Sequence, residues 1–494
     1  IYGGSGDDTI DAGKDGDVVD GGSGADTITG GDGSDTVFGG SGSDVIDGGE
    51  GADSIYGGMD GDTITGGDGE NTVYGDAGTD TIVTGKDADF VDGGYDDDTI
   101  TGGDGENTIY GGDGDDEIFT GKDGDLIDGG MGHDDIDAGS GGDSIYGGMG
   151  NDDIIAGAGD DSVFGGMGHD EIIAGTGNDF VDGGYDDDTI TGGAGDDTIE
   201  GGYGQDTVLF DGVQDDFTFA VASDGTLTVT DTTTALGTDV ISGVETLRFN
   251  DGDLTVTTAQ DGYVTLTGTG ADDDVTVVGS TAVTLEGVDG ADTLTGGDGN
   301  DTFNIDAGID TITDMSATDI LVISTGATLN RTISADYTAA ATTTNAGTAN
   351  LTVGTGGLSV DLSLAGGSSG FNIIGSSGTD TITATGNADT FTISSSGQGN
   401  SDVLDGGAGA DILQVSSGSH VFASDLNFSN IETVLTDASG SSINLSAQTE
   451  GFTITGGAGI DTLTGGAGVN VITGDAGNDI ITGGASDDII TGGA

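Results

Sequence analysis

"GGSGADTITGGDGSDTVFGGSGSDVIDGG", residues 21–49, repeats itself every nine residues. Gly-Gly opens each copy, Asp26, Asp35 and Asp44 hold the sixth position, and Ile28, Val37 and Ile46 hold the eighth. The same frame, G-G-x-G-x-D-x-U-x with U apolar, runs without insertion from Gly3 to Leu209. A fixed short period marks a stack of identical small units. Glycine supplies the left-handed backbone of a tight turn. The x-U-x triplet is a very short strand with U pointing in and its neighbours out. One Ile or Val per nine residues builds no core alone, but stacked coils lay each one on the next. Two nonapeptides make a coil of strand, turn, strand, turn. At a coil spacing of about 4.8 Å, residues 1–209 would stack to roughly 55 Å.

Composition sets the chemical problem. Among 494 residues, 91 are acidic and 5 basic, for a net charge of −86. Such a charge opposes compaction unless something cancels it. It argues against nucleic acid and anionic membrane surfaces as partners, since both need Lys and Arg. Low hydrophobicity with high charge would ordinarily mean disorder, but the in-frame Ile and Val exclude that reading. With no cysteine in the chain, disulfides and zinc–thiolate sites are excluded. No apolar run approaches membrane-spanning length. The chain begins and ends inside a repeat, and so reads as a slice of a longer polypeptide or a processed form.

Each sixth-position carboxylate meets its counterpart 18 residues on, at the same edge of the next coil. Such a column repels itself unless a cation intervenes. Calcium, a hard ion taking six to eight oxygens, suits carboxylates joined by the carbonyls of glycine turns. The expected ligands in the first 209 residues are Asp8, Asp17, Asp26, Asp35, Asp44, Asp53, Asp62, Asn71, Asp80, Asp89, Asp98 and Asn107. They continue with Asp116, Asp125, Asp134, Asp143, Asp152, Asp161, Asp170, Asp179, Asp188, Asp197 and Asp206. The pattern resembles the RTX family of calcium-binding β-rolls. That resemblance implies an all-β fold of parallel β-roll solenoids, and calcium-triggered folding after export by type I secretion.

Beyond Leu209 the frame stops. Residues 210–257, with "GVETLRFNDG", read as a β-rich cap, and 258–286 as a β spacer. The frame returns in degenerate form over 287–323, with Asp292, Asp301 and Asp310 as expected ligands. A Thr/Ala/Ser-rich β spacer covers 324–374, and a second degenerate roll covers 375–414 with Asp380, Asp389 and Asp411. After a spacer at 415–455, a terminal roll at 456–494 carries Asp461, Asp479 and Asp488, with Asn470 at one sixth position. Rolls alternating with β-rich modules resemble bacterial surface-layer proteins and large adhesins.

No catalytic constellation is visible. His133 and His169 lie two coils apart, zinc-helix and phosphate-loop motifs are missing, and carboxylate pairs are too common to inform. Residues Phe38, Tyr56, Tyr74, Tyr110, Tyr146 and Phe164 share one outward column, as a contact surface or as stacked ladder neighbours. The expectation is a non-enzymatic, extracellular, calcium-dependent structural protein of a bacterial cell surface, in a surface layer, filament or matrix. The alternative is the calcium-binding stalk of an adhesin, or the non-catalytic region of a secreted enzyme or toxin. Self-association into a lattice or filament is expected, by head-to-tail stacking of terminal coils, with a cell-surface glycan as an anchor. Asn71 and Asn107 fall on one edge, in the series Asp53, Asn71, Asp89, Asn107, Asp125. Each gap in that series loses a carboxylate and should bind calcium more weakly, unless Glu70 and Glu106 compensate.

Overall fold

A computed structural model describes residues 1–233, 236–259, 263–316, 318–393 and 401–494. The stretch 394–400, inside the degenerate roll of 375–414, lies outside the described residues, as do 260–262 of the spacer at 258–286. The described chain is all-β, with two short 3-10 turns at Gln214–Asp216 and Asp425–Asn427. None of its helices is long and apolar enough to cross a membrane. Two compact units emerge: Ile1–Thr218 with Thr226–Val256, and Phe219–Gly225 with Thr257–Ala494.

In the first unit, strands alternate between two parallel sheets, each pairing with the strand 18 residues on. Val91 lies between Val73 and Ile109 in one sheet, and Ile100 between Ile82 and Ile118 in the other. From Val19 to Val208 the eighth-position side chains are at most 1% exposed. This spine of β-branched side chains is the core. Its thinness explains the glycines at the first position of the nonapeptide. In Ser54–Met59, a Cβ on Gly57 would lie 2.6 Å from Asp62 Oδ2, 2.8 Å from the Gly75 carbonyl oxygen and 3.2 Å from Ile64 Cδ1. In the facing sheet Gly30 and Gly48 are equally crowded, at 2.6 and 2.5 Å from the nearest carbonyl oxygen, but Ala12, Ala138, Ala156 and Ala174 hold the equivalent position elsewhere. A methyl on Gly66 would meet nothing nearer than 3.1 Å. Gly57→Ala should therefore cost about 1–3 kcal/mol through overpacking, and Gly66→Ala clearly less. Denaturant unfolding of both variants in saturating calcium checks the order.

The fourth-position aspartates Asp15, Asp60, Asp96, Asp123 and Asp186 have φ of 72–74° and replace glycine in the left-handed region. Asp87, in the same position, does not. There Thr84 starts the turn in place of Gly, and its Oγ1 donates to the Gly102 carbonyl at 2.7 Å.

Past Leu209, Thr238–Ser242 continues one sheet in parallel and Thr246–Arg248 the other. Leu227–Asp231 and Asp253–Thr258 then add antiparallel to them. Reversing direction ends the 18-residue translation.

The second unit carries a continuous twelve-stranded parallel sheet from Asp274–Thr276 to Ile489–Thr491. The segments 324–374 and 415–455, read from sequence as spacers, contribute strands to this same sheet. Their coils are longer because they have three sides. Thr328–Ile333, Tyr337–Thr338 and Thr344–Asn345 form one coil, and Thr348–Val353, Ser359–Asp361 and Gly366–Gly367 stack on them in order. The interior of this unit takes larger fillers, among them Phe303, Phe371, Phe391 and Phe428, all buried.

Candidate metal centre

The sixth-position side chain does two things with its two oxygens. The first oxygen splices coils: Asp62 Oδ1 accepts the Asp44 N–H at 2.7 Å, and Asp80 Oδ1 accepts the Asp62 N–H at 2.6 Å. The bond recurs through the first unit, from Asp26 accepting the Asp8 N–H to Asp206 accepting the Asp188 N–H. In the second unit it continues at Asp292, Asp301, Asp310, Asp380, Asp389, Asp411, Asp461, Asp479 and Asp488.

The second oxygen has no such partner in most turns. Oδ2 is buried without any hydrogen-bond partner at Asp8, at Asp26 through Asp62, and at Asp80, Asp98 and Asp116. The same holds at every sixth position from Asp125 to Asp206, and at Asp292, Asp301, Asp411, Asp461 and Asp479. A buried unpaired carboxylate oxygen is expensive. Protein cations do not supply the missing partner. Lys86 pairs with Asp68 at 2.8 Å, Lys122 with Asp104 at 2.9 Å and Arg248 with Asp253 at 3.2 Å, all exposed, as is the pair of Lys14 with Asp32. The buried Arg331 donates instead to the Thr313 carbonyl at 2.8 Å.

The column bears the electrostatic cost visibly. Burial pushes the Asp62 carboxyl up to about 7 and Asp98 to about 8, with neighbouring aspartates on the same edge adding to the rise. Asp80 and Asp116 are raised to about 6, again chiefly by burial. Backbone N–H donors oppose the shift without cancelling it. Each Oδ2 points into its own glycine turn, where main-chain carbonyls converge; the Cβ missing from Gly57 would sit between Asp62 Oδ2 and the Gly75 carbonyl. Among the described residues no three acidic or histidine side chains gather at one point. A bound ion would therefore draw on one carboxylate oxygen and several carbonyls per turn. That donor set fits a hard, oxygen-seeking cation of calcium type.

Eight expected ligands present no such buried, unpartnered oxygen: Asp17, Asp310 and Asp488, and five in which an amide or a hydrogen-bond donor takes its place. The Nδ2 groups of Asn71 and Asn107 donate to carbonyls of their own turns, Gly67 at 3.4 Å and Gly105 at 3.0 Å. Asp89 Oδ2 accepts the Gly85 N–H at 3.2 Å. Ser376 Oγ donates to Asp380 Oδ2 at 2.9 Å and Thr385 Oγ1 to Asp389 Oδ2 at 2.8 Å. Glu70 and Glu106, the suggested compensators, are exposed.

Sequence reasoning missed residues that do the splicing where the period breaks. Asp239 Oδ1 accepts the Asp197 N–H at 3.1 Å, and Asp319 Oδ1 the Asp301 N–H at 3.0 Å. Glu245 and Glu432 accept the N–H of Asp206 and Asp411 at 3.0 and 2.8 Å. A signal existed: "ETL" at 245–247 and "ETV" at 432–434 keep the acid two residues before an inward apolar side chain.

The outward aromatics stack on one another. Ring centroids lie 4.9 Å apart for Phe38–Tyr56, 5.1 Å for Tyr56–Tyr74 and 4.9 Å for Tyr146–Phe164. Where Asp92 and Asp182 interrupt the column, Phe90 and Phe180 tilt in from the neighbouring one. Ladder packing accounts for these rings. His133 and His169 each accept a backbone N–H of the next coil through Nδ1, at 2.7 and 3.0 Å.

The family described as RTX calcium-binding nonapeptide repeat (4 copies) matches 1–216 in overlapping segments, then 284–312, 396–419 and 453–494. No curated protein matches the chain. Among solved structures, the extracellular lipase LipA from Serratia marcescens aligns at 18% identity, covering 48% of this chain and 32% of the lipase. Its TM-score of 0.10 carries no argument about fold or function.

Proposed function

The chain belongs to the RTX calcium-binding nonapeptide-repeat family, and from that premise we propose that it is an extracellular structural protein whose rolls fold and assemble on calcium. RTX repeat proteins are typically secreted. The repeats bind calcium in multiple copies. The single observation that carries the structural reading is the row of buried, unpartnered Asp Oδ2 atoms along both edges of the first unit. A fold that leaves this many carboxylate oxygens for cations is set by calcium. Such a protein spaces or tiles a surface, and millimolar external calcium would suit even weak sites. Low calcium inside the cell would leave the chain unfolded for export. Self-association into a lattice or filament, with a cell-surface glycan as anchor, completes the proposal.

Electron microscopy of the purified chain, in millimolar calcium and after chelation, tests it. Sheets or filaments that appear only with calcium are expected. A persistent monomer that binds a glycan or host surface would instead identify the stalk of an adhesin.

A further inference from the structure

We infer that the turns fall into two chemical classes, open and closed, and that the closed turns at Asn71, Asp89, Asn107 and Asn470 take no calcium. This rests on the open turns being calcium sites.

The orientation of each Asn amide is set by the splice between coils. Asn71 Oδ1 accepts the Asp53 N–H, Asn107 Oδ1 the Asp89 N–H and Asn470 Oδ1 the Phe452 N–H, each at 3.0 Å. Only an oxygen can accept there, so Nδ2 faces the turn. It stands where an open turn has its unpartnered carboxylate oxygen. Asn107 Nδ2 lies 3.3 Å from the Gly103 carbonyl oxygen and 3.0 Å from that of Gly105. Asn470 Nδ2 lies 3.1, 2.8 and 2.9 Å from the carbonyls of Gly466, Gly468 and Gly483, and 2.9 Å from Asp488 Oδ1. An N–H group thus fills a cage of oxygens from within. A cation entering this cage would lose a carboxylate ligand and meet the positive end of an N–H dipole.

Asp89 reaches the same end by another route. On the opposite edge, the residues four before Asp62, Asp80 and Asp98 are left-handed: Gly58 at φ 119°, Asp76 at 74° and Gly94 at 114°. Gly85, four before Asp89, is outside that region, and its N–H bonds Asp89 Oδ2. Three consecutive turns of one edge are therefore closed, while Asp62, Asp80, Asp98 and Asp116 across the same coils stay open. The long roll carries a calcium-free gap on one side only.

The test is the calcium content of the full chain, by equilibrium dialysis and metal analysis. The double variant Asn71→Asp/Asn107→Asp replaces each N–H with a carboxylate oxygen and should gain about two ions per chain. The converse pair Asp62→Asn/Asp98→Asn should lose about as many. Asn470→Asp, in the other unit, should gain at least one and reports independently if the double variant does not fold. Unchanged content in the Asn→Asp variants of a chain that otherwise binds calcium overturns the two-class assignment and leaves the proposed function standing. A wild-type chain that binds no calcium overturns the proposed function as well.

Discussion

Chelating calcium at pH 8 should abolish most of the β signal of this chain and expand it toward a disordered coil, with a radius of gyration of roughly 80 Å for 494 residues. The core is a single column of Ile and Val per sheet, which offsets little of the conformational entropy of its glycine turns. Against it stand a net charge of −86 and a row of buried carboxylate oxygens with no protein partner. Burial disfavours their charged form, and each neighbour in the column disfavours it further. Without a cation, the folded state carries this cost and the unfolded chain does not. Metal binding and folding are then one event. Circular dichroism and small-angle scattering with and without EDTA measure it. A β signal that survives chelation at pH 8 would refute the calcium dependence.

Protons should do part of what calcium does. In the metal-free chain the carboxyls of Asp62, Asp98, Asp134 and Asp188 are raised to about 7, 8, 7 and 7 by burial first and by neighbouring carboxylates second. Unfolded, each returns to about 3.9. Between these limits the folded state holds more protons than the unfolded one, so its stability falls as pH rises. The contribution is complete below about pH 4 and lost progressively up to about pH 8. In EDTA, the chain should therefore regain β structure between pH 8 and pH 5, by a transition involving several protons. Saturating calcium should flatten this dependence, because the ion requires the carboxylates ionised. A metal-free chain as disordered at pH 5 as at pH 8 would show that these aspartates do not control folding.

Most of the fold was legible because the period is short and strict. The two-coil spacing of "GGDGENTVYG" at 66–75 and "GGDGENTIYG" at 102–111 follows from 18 residues per coil. In the structure Val73 and Ile109 both pair with Val91, one coil from each. The second half was less legible. Coils there widen from two sides to three, and a varying period hides strands such as Thr344–Asn345 and Gly366–Gly367, two residues each. Glu245 and Glu432 escaped notice because a longer acid does the work of Asp in the same register, outside the glycine frame that marks the repeat.

The chain's order of residues determined by itself that it is a calcium-type β-roll, which side chains form the spine, and which column bears the carboxylates. Those are properties of periodicity, and periodicity is written along one dimension. Which turns are open was decided only by the tertiary structure. An Asn at the sixth position and an Asp at the same position make the same splice bond to the previous coil. They differ in what the other atom presents to carbonyls of the turn, and in Asn470 also to Gly483 and Asp488 of the next coil. Asp89 shows the same limit more sharply: its sequence position matches that of Asp62, yet the Gly85 N–H reaches its Oδ2 at 3.2 Å while the Asp62 Oδ2 stays open. A contact between coils depends on three-dimensional direction, which spacing along the chain does not specify.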